Sequence, residues 1–351
     1  MQRAVYRIID ANFNRAREAA RVMEEYCRFA LSSKPLSSRA KQIRHRISAA
    51  VSELGIDDLV AARDAESDVG QGLQVADQLK RADLRAGFIA GAKRITEALR
   101  VLAETVSPIS SKAYQEFEKL RFDAYTLEKD VLAFDNTSAR FASVSLYVLI
   151  NASDATQSED VVSLVSVFAA AGADCVQLRG KDIGDKRLLA LAKDFASACA
   201  TADVISIIND RADVAILAGA DGVHLGQDDL AVDDVRAMQH KPLIIGVSTH
   251  NLEQLEAALA TGPGYVALGP VFATPTKPDI DIAGPEYLRR AVELLGDSGI
   301  NHLAIGGITI ENIGTILELG VNSVAVCSGV CNSDDPADAC GRLKNAIINH
   351  S

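Results

Sequence analysis

Residues 204–230 read VISIINDRADVAILAGADGVHLGQDDL. Two short apolar runs, VISIIN (204–209) and GVHLG (222–226), flank an Ala/Leu-rich stretch with helical character. The first run ends in Asn209, Asp210 and Arg211, and the second in Gly226-Gln227-Asp228-Asp229. Strands that alternate with helices pair in parallel, and near-continuous apolar strands belong to a sheet covered on both faces. The same grammar extends in both directions. Further strands are expected at SLYVLIN (145–151), CVQLR (175–179), LIIGVS (243–248), YVALG (265–269), HLAIGG (302–307) and SVAVCS (323–328). Helical runs such as DVVSLVSVFAAAG (160–172) and KRLLALAKDFASACA (186–200) lie between them. That makes eight strand–helix units, the count of a (β/α)8 TIM barrel.

The chain changes character near residue 140, and before that point the patterns are helical. NRAREAARVMEE (14–25) and KRITEALRVLAE (93–104) align at a fixed offset of 79. Arg15/Arg94, Glu18/Glu97, Arg21/Arg100 and Glu25/Glu104 match, as do Ala19/Ala98, Val22/Val101 and Met23/Leu102. The apolar positions recur as one stripe of an amphipathic helix. KQIRHRI (41–47) and EKLRFDAYTLEK (118–129) follow as a second helical match, with Arg44 near the place of Arg121. A duplicated helical hairpin results, and hence an all-α bundle with an internal repeat. DNTSARFAS (135–143) is polar and small and reads as a linker. The expected organisation is an all-α domain over 1–134, a linker over 135–143 and an α/β barrel over 144–351.

The composition, 48% hydrophobic and 24% charged over 351 residues, is that of folded domains. A formal net charge of −11 argues against nucleic-acid and anionic-membrane partners, although a local basic pocket for phosphates stays open. No apolar run approaches the ~18 residues of a membrane span, and the N-terminus lacks a signal-type apolar segment. The six cysteines form no CxxC pair and read as reduced thiols. A cytoplasmic setting is expected, and assembly into a homo-oligomer is left open.

A barrel of this kind presents its reactive groups at the C-terminal strand ends, and the polar residues fall there repeatedly. Gln177, Arg179 and Lys181 follow strand two; Asn209 and Asp210 follow strand three; Asp229 follows strand four; Ser248, Thr249 and His250 end strand five. GPVFATPTKPD, with Thr274, Thr276 and Lys277, follows strand six, and Gly306-Gly307 and Ser328 end strands seven and eight. Arg179, Lys181 and Lys277 supply fixed positive charge; Asn209, Ser248, Thr274 and Thr276 supply neutral donors. Gly306-Gly307 opens the helical run ENIGTILELG (311–320), with backbone N–H groups for an anion. Asp210 and Asp229 would repel phosphate unless a cation lay between them, which points to Mg²⁺. The ligands implied are a Mg²⁺-bound diphosphate and a separate monophosphate. Asp210 and Asp229 read alternatively as helix caps, and His224 reads as a packed strand residue. The TPTK loop reads as a substrate cover.

Taken together, VQLRGKD, IINDRADVAILAGADGVHLGQDDL, IIGVSTHN, VALGPVFATPTKPD, LAIGGIT and VAVCSGV resemble thiamine-phosphate synthase, in family order over about 144–345. The resemblance implies that 4-amino-2-methyl-5-hydroxymethylpyrimidine diphosphate joins hydroxyethylthiazole phosphate, with release of pyrophosphate. It implies that Asp210 and Asp229 hold Mg²⁺. Arg179, Lys181, Asn209, Ser248, Thr274, Thr276 and Lys277 would surround the diphosphate, with Arg179, Lys181, Ser248 and Lys277 the catalytic set. Gln177 would face the pyrimidine, while Gly307 and Ser328 would bind the thiazole phosphate. Cys327, in the same substrate-binding stretch, stands where the family more often has Val or Ile, and little effect is expected of it.

RIIDANFNRAREAARVMEEYCRFAL, KQIRHRI and AARDAESDVG, within about 3–130, resemble the helical domain found fused to such synthases. That resemblance implies an ATP-dependent phosphorylation of hydroxymethylpyrimidine phosphate to the diphosphate. No GxxxxGK[ST] loop is present. The residues singled out for this step are Asn14, Arg15, Glu18, Arg63, Asp64 and Asp68, with the arginines for phosphates and the aspartates for Mg²⁺. Arg15 and Glu18 read equally as a surface pair on a solvated helix. Two other readings are kept: a synthase with a non-catalytic dimerisation or docking helical domain, and a thiazole tautomerase-like barrel.

Overall fold

The computed structural model describes residues 2–31, 33–64, 81–238, 242–274, 281–296 and 298–350. Two compact units result, Met1–Ala133 and Phe134–Ser351. The first contains α1 (Gln2–Glu25), a π-helical stretch Tyr26–Ala30, α2 (Lys34–Ser52), α3 (Ile56–Ala62), α4 (Leu84–Val106) and most of α5 (Ser111–Phe141). Its core is a seam between α1 and α4, flanked by α2. The 79-residue offset is visible in the burial itself. Ile9/Phe88, Ala16/Ile95, Ala19/Ala98, Ala20/Leu99, Met23/Leu102 and Cys27/Val106 are buried in both copies. α2 and α5 repeat at an offset of 77: Leu36/Ala113, Ala40/Phe117, Ile43/Leu120, Ile47/Ala124 and Ala50/Leu127 are buried pairs. Ser33 accepts the amide of Leu36 at 3.5 Å and Ser110 that of Ala113 at 3.2 Å, so the same residue type opens each copy of the second helix.

The second unit is a closed eight-stranded parallel barrel, each strand paired with its sequence neighbours and β1 with β8. Its strands are β1 (Leu146–Asn151), β2 (Cys175–Arg179), β3 (Ile205–Asn209), β4 (Gly222–Leu225), β5 (Ile244–Thr249), β6 (Tyr265–Leu268), β7 (Asn301–Ile305) and β8 (Val324–Val326). The intervening helices are α6 (Ser158–Ala170), α7 (Asp185–Thr201), α8 (Ala212–Ala218), α9 (Val232–Met238), α10 (Leu252–Thr261), α11 (Gly284–Leu295) and α12 (Ile313–Glu318). The short α13 (Ser328–Cys331) and α14 (Pro336–His350) end the chain. One apolar layer lies between strands and helices and includes Val148, Val176, Ile208, Val223 and Val266. A second fills the barrel interior, with Tyr147, Ile207, Ile244, Tyr265 and Leu303. Gly246 makes room for it, since a Cβ there would stand 2.1 Å from a ring carbon of Tyr265.

The expected linker is a correction. Residues 135–141 continue α5, and the ring of Phe141 stacks on Tyr265 at 4.0 Å between centroids. Burial of that aromatic inside the barrel unit outweighs the loop-like composition around it. A second device was not foreseen. The tetrapeptide AGAD occurs at 171–174 and at 218–221, just before β2 and β4. Asp174 accepts the amides of Ser145 and Leu146 at 2.8 and 2.9 Å, and Lys344 lies 2.7 Å away. Asp221 accepts the amide and hydroxyl of Ser206 at 2.9 and 2.8 Å. Each aspartate thus clamps the start of the preceding strand. None of the six cysteines is joined in a disulfide. Among the described residues no helix is long and apolar enough to cross a membrane.

Candidate active site at the barrel mouth

A cleft opens at the C-terminal ends of the strands. Its lining brings together Gln177, Arg179, Asn209, Ser248, Thr274, Gly307, Cys327 and Ser328. These eight come from six strands or the loops that follow them, which is how a parallel barrel gathers residues distant in sequence. Thr276 and Lys277 lie outside the described residues.

The floor of the cleft is a buried hydrogen-bonded chain. Gln177 donates its amide N–H to the Tyr147 hydroxyl at 2.8 Å, and Tyr147 lies 3.1 Å from the Tyr265 hydroxyl. His224 Nδ1 is 2.9 Å from Tyr265, and its Nε2 is 2.8 Å from Ser248 Oγ. Donor and acceptor capacities set the direction of this chain. With Tyr147 accepting from Gln177, its own proton goes to Tyr265. Tyr265 then donates to Nδ1, and Nε2–H donates to Ser248. The Ser248 proton is left for the cleft. Gln177 Oε1 is buried without a hydrogen-bond partner. Gln177 and Ser248, which both line the cleft, thus carry an unpaired acceptor and an uncommitted donor at its floor. Burial raises the pKa of both tyrosines well above the ordinary value, so they stay protonated. His224, read from sequence as a packed strand residue, is packed and also lines the site. A histidine in an apolar strand carries no local signal that its ring faces a ligand.

The rim carries the charge. Arg179 reaches Asn151 at 3.4 Å through Nη1, and its Nε is buried with no hydrogen-bond partner. Asn151, missed in the sequence, donates to the Cys327 thiol at 3.1 Å. Lys181, Asp210 and Asp229 are not part of the cleft lining; they sit on the loops after β2, β3 and β4. Asp210 takes a left-handed backbone (φ 62°) and donates its amide to the His224 carbonyl at 2.8 Å. A non-glycine residue held there stores strain of the kind concentrated at functional sites. The Lys181 ammonium stands 3.8 Å from the Asp210 carboxylate. Asp229 accepts the Gly226 amide at 2.6 Å. Neither aspartate caps a helix: α8 is entered through Arg211 without a side-chain cap, and α9 begins at Val232.

The turn at Gly306-Gly307 needs a correction. It does not run directly into a helix, because α12 begins only at Ile313. Asn312 instead ties the turn by donating to the Gly307 carbonyl at 2.9 Å and accepting from Thr309 at 2.8 Å. Both glycines have positive φ, and a Cβ on Gly307 would lie 2.3 Å from the Ala273 carbonyl. The strand-seven end of the cleft is thus bare backbone, facing Ser328 and Gly329.

In the helical unit a second cleft is lined by Asp10, Phe13, Asn14, Arg17, Leu59 and Arg63, among others. Of the residues singled out there, Asn14 and Arg63 come together. Arg15 and Glu18 are exposed and outside this lining. Asp64 lies 3.5 Å from Arg3 and 3.9 Å from Arg7. Asp68 lies outside the described residues.

An eight-stranded parallel barrel with cations, hydroxyls and a bare glycine turn at its C-terminal mouth defines a phosphate-handling enzyme of the TIM-barrel class. Residues 146–330 match the family model for thiamine monophosphate synthase, and residues 7–130 match that of the ThiD2 family. A thiamine-phosphate synthase of Synechocystis is 38% identical over 340 residues, covering 97% of this chain and 95% of that protein. One from Rhodopirellula baltica is 36% identical, covering 95% and 90%. The solved thiamine phosphate pyrophosphorylase of Pyrococcus furiosus matches with a TM-score of 0.53 at 30% identity, covering 60% of this chain and 98% of its own. The chain belongs to the thiamine-phosphate synthase family.

Proposed function

We propose that the barrel joins a hydroxymethylpyrimidine diphosphate to a hydroxyethylthiazole phosphate. The C–O bond to the leaving diphosphate breaks, and a C–N bond to the thiazole nitrogen forms. Pyrophosphate departs with the bonding electrons, and no proton need be removed by the protein. The observation that supports this reading is that one cleft gathers the polar Gln177 and Ser248, the cationic Arg179 and a bare glycine turn with Ser328. Gln177 and Ser248 hold the pyrimidine. Arg179 and Lys181 meet the diphosphate, as do Asn209, Thr274, Thr276 and Lys277. Gly307 and Ser328 hold the thiazole phosphate, and Cys327 lies beside them.

The residues present fit a magnesium ion. Two hard carboxylates, Asp210 and Asp229, stand on the successive loops after β3 and β4 and would hold it; Asp210 lies 3.8 Å from Lys181 in a left-handed backbone conformation. When bound, the ion neutralises charge on the departing pyrophosphate. Lys181 and Arg179 do the same from the protein side, as preorganised donors at the atoms where charge develops. The electron-rich ring stabilises the cation left behind, so the chemistry is a dissociative substitution.

We further propose that the helical unit phosphorylates the pyrimidine monophosphate with ATP and Mg²⁺, and so makes the substrate of the barrel. The match to the ThiD2 family supports this, as do relatives in which both regions lie in one chain. The test incubates the full chain with pyrimidine monophosphate, thiazole phosphate, ATP and Mg²⁺. Thiamine phosphate is expected. Its appearance only when the pyrimidine diphosphate is supplied would leave the synthase and remove the kinase.

A further inference from the structure

The two helical copies match in their buried positions and part company at one place. Asp10 is buried, at 7% exposure, whereas its counterpart Ile89 is half-buried. Arg17 is exposed, whereas its counterpart Thr96 is buried and donates to the Ala92 and Lys93 carbonyls of its own helix. Phe13 is half-buried where Ala92 is fully buried. Asn14 corresponds to Lys93, which pairs with Glu128 at 3.0 Å. These departures coincide with the lining of the cleft in the first copy. That cleft is also bordered by Leu59 of α3 and by Arg63 just after it, while the chain 77 residues on simply continues as α5.

The second copy shows that this position on the helix needs no carboxylate, since Ile89 stands there and that copy's buried carboxylate, Glu128, comes from α5 to meet Lys93. Burying one costs desolvation that an ion pair only partly returns. Yet Asp10 is retained in a built environment. Arg63 grips it with two bonds of 2.8 and 2.7 Å from Nε and Nη2, and Asn14 donates to its carbonyl at 3.0 Å and its carboxylate at 3.3 Å. Arg17 lies over the Phe13 ring at 5.2 Å. We infer that this cleft, in the first copy alone, binds a phosphorylated amino-substituted heteroaromatic: Phe13 and Leu59 flank the ring, Asp10 and Asn14 meet its N–H edge, and Arg17 with Arg63 Nη1 meets the phosphate. The Lys93–Glu128 pair closes the corresponding place in the second copy. The ligand's identity rests on the kinase reading; the site itself rests on the asymmetry.

The test titrates the full-length chain calorimetrically with hydroxymethylpyrimidine phosphate, first without ATP. Arg17→Ala, at an exposed position, is expected to weaken one binding event by about tenfold or more, the loss of a charge-assisted hydrogen bond. Asp10→Ile, which installs the second copy's residue, is expected to weaken it at least as much. Lys93→Ala is expected to leave it unchanged. Lys181→Ala, in the barrel, identifies any separate event belonging to the mouth, and an unchanged denaturant-unfolding transition of the helical unit reports that each helical variant is folded. Wild-type affinity in both Arg17→Ala and Asp10→Ile would overturn the site, as would the absence of any event independent of Lys181. Binding that requires Arg17 and Asp10 but gives no ADP on addition of ATP keeps the site and ends the kinase reading. ADP formation with an unchanged KM in both variants keeps the kinase and ends the site.

Discussion

The charged groups of the helical unit and of the barrel mouth are arranged differently. In the helices many opposite charges meet at contact distance, Arg44 with Glu24 at 2.9 Å, Arg46 with Asp123 at 2.6 Å and Arg39 with Asp130 at 2.8 Å, although Arg100 stands 3.6 Å from Glu118 and Arg121 Nε is buried without a hydrogen-bond partner. At the barrel mouth Lys181 stands 3.8 Å from Asp210, Arg179 reaches its neighbour at 3.4 Å, and two buried atoms, Arg179 Nε and Gln177 Oε1, have no hydrogen-bond partner. Most charges that hold a fold together satisfy one another. Charges that await a ligand are left short of full satisfaction, because the missing interaction is the one the ligand supplies.

The contrast breaks most sharply if mouth charges prove to be structural. Lys181→Ala and Asp210→Asn are expected to lower synthase kcat/KM by about 10²–10³, the range for loss of one preorganised charge-stabilising group, with the melting temperature unchanged, asparagine tolerating the left-handed backbone at 210. A loss of folding in proportion to activity would place them with the paired charges. Arg44→Ala is the converse case. Glu24 is almost fully buried and would keep only Arg21, at 3.4 Å, so the loss of Arg44 is expected to destabilise the helical unit by about 2 kcal/mol, measured by denaturant unfolding, with synthase turnover intact.

A comparable effect sharpens the same comparison inside the barrel. Asp174 is a paired, structural carboxylate. Burial alone would raise its pKa, but the Leu146 amide, Lys344 and Ser145 outweigh that and hold it below the usual value. A depressed folded pKa means the contribution is present above the ordinary carboxylate range and is lost as pH falls through it. Asp174→Ala is expected to cost about 2 kcal/mol at neutral pH and to flatten the acid limb of the barrel's stability profile. An unchanged acid limb would remove Asp174 from the set of fold-holding charges. Smallest of all, Cys327→Val should shift stability and turnover by less than about 0.5 kcal/mol. A larger loss would mean that the Asn151–thiol contact positions Arg179.

Much of this was legible in the sequence, for a physical reason. Parallel strands buried on both faces must be continuously apolar, so each of the eight runs announced itself, and the polar residue ending each run was bound to sit at the mouth. The duplication was legible because buried helix positions repeat with fixed spacing. What the sequence hid depended on contacts across the chain. The run from Asp135 to Phe141 has the composition of a loop, and it stays helical because its aromatic end is buried against Tyr265. His224 sits within an apolar strand, and only the barrel's closure brings it between Tyr265 and Ser248. Asp10 lies within the stretch RIIDANFNRAREAARVMEEYCRFAL with nothing local to single it out, and it stands apart only when the copies are overlaid and Ile89 is found in its place.

The most direct measurement follows pyrophosphate release by the purified full chain given pyrimidine diphosphate and thiazole phosphate, with Mg²⁺ and then with excess chelator. Pyrophosphate and thiamine phosphate forming in equal amounts with Mg²⁺, and neither forming with chelator, is the predicted result. Product formation at the same rate in Lys181→Ala and Asp210→Asn, or undiminished in chelator, would contradict it.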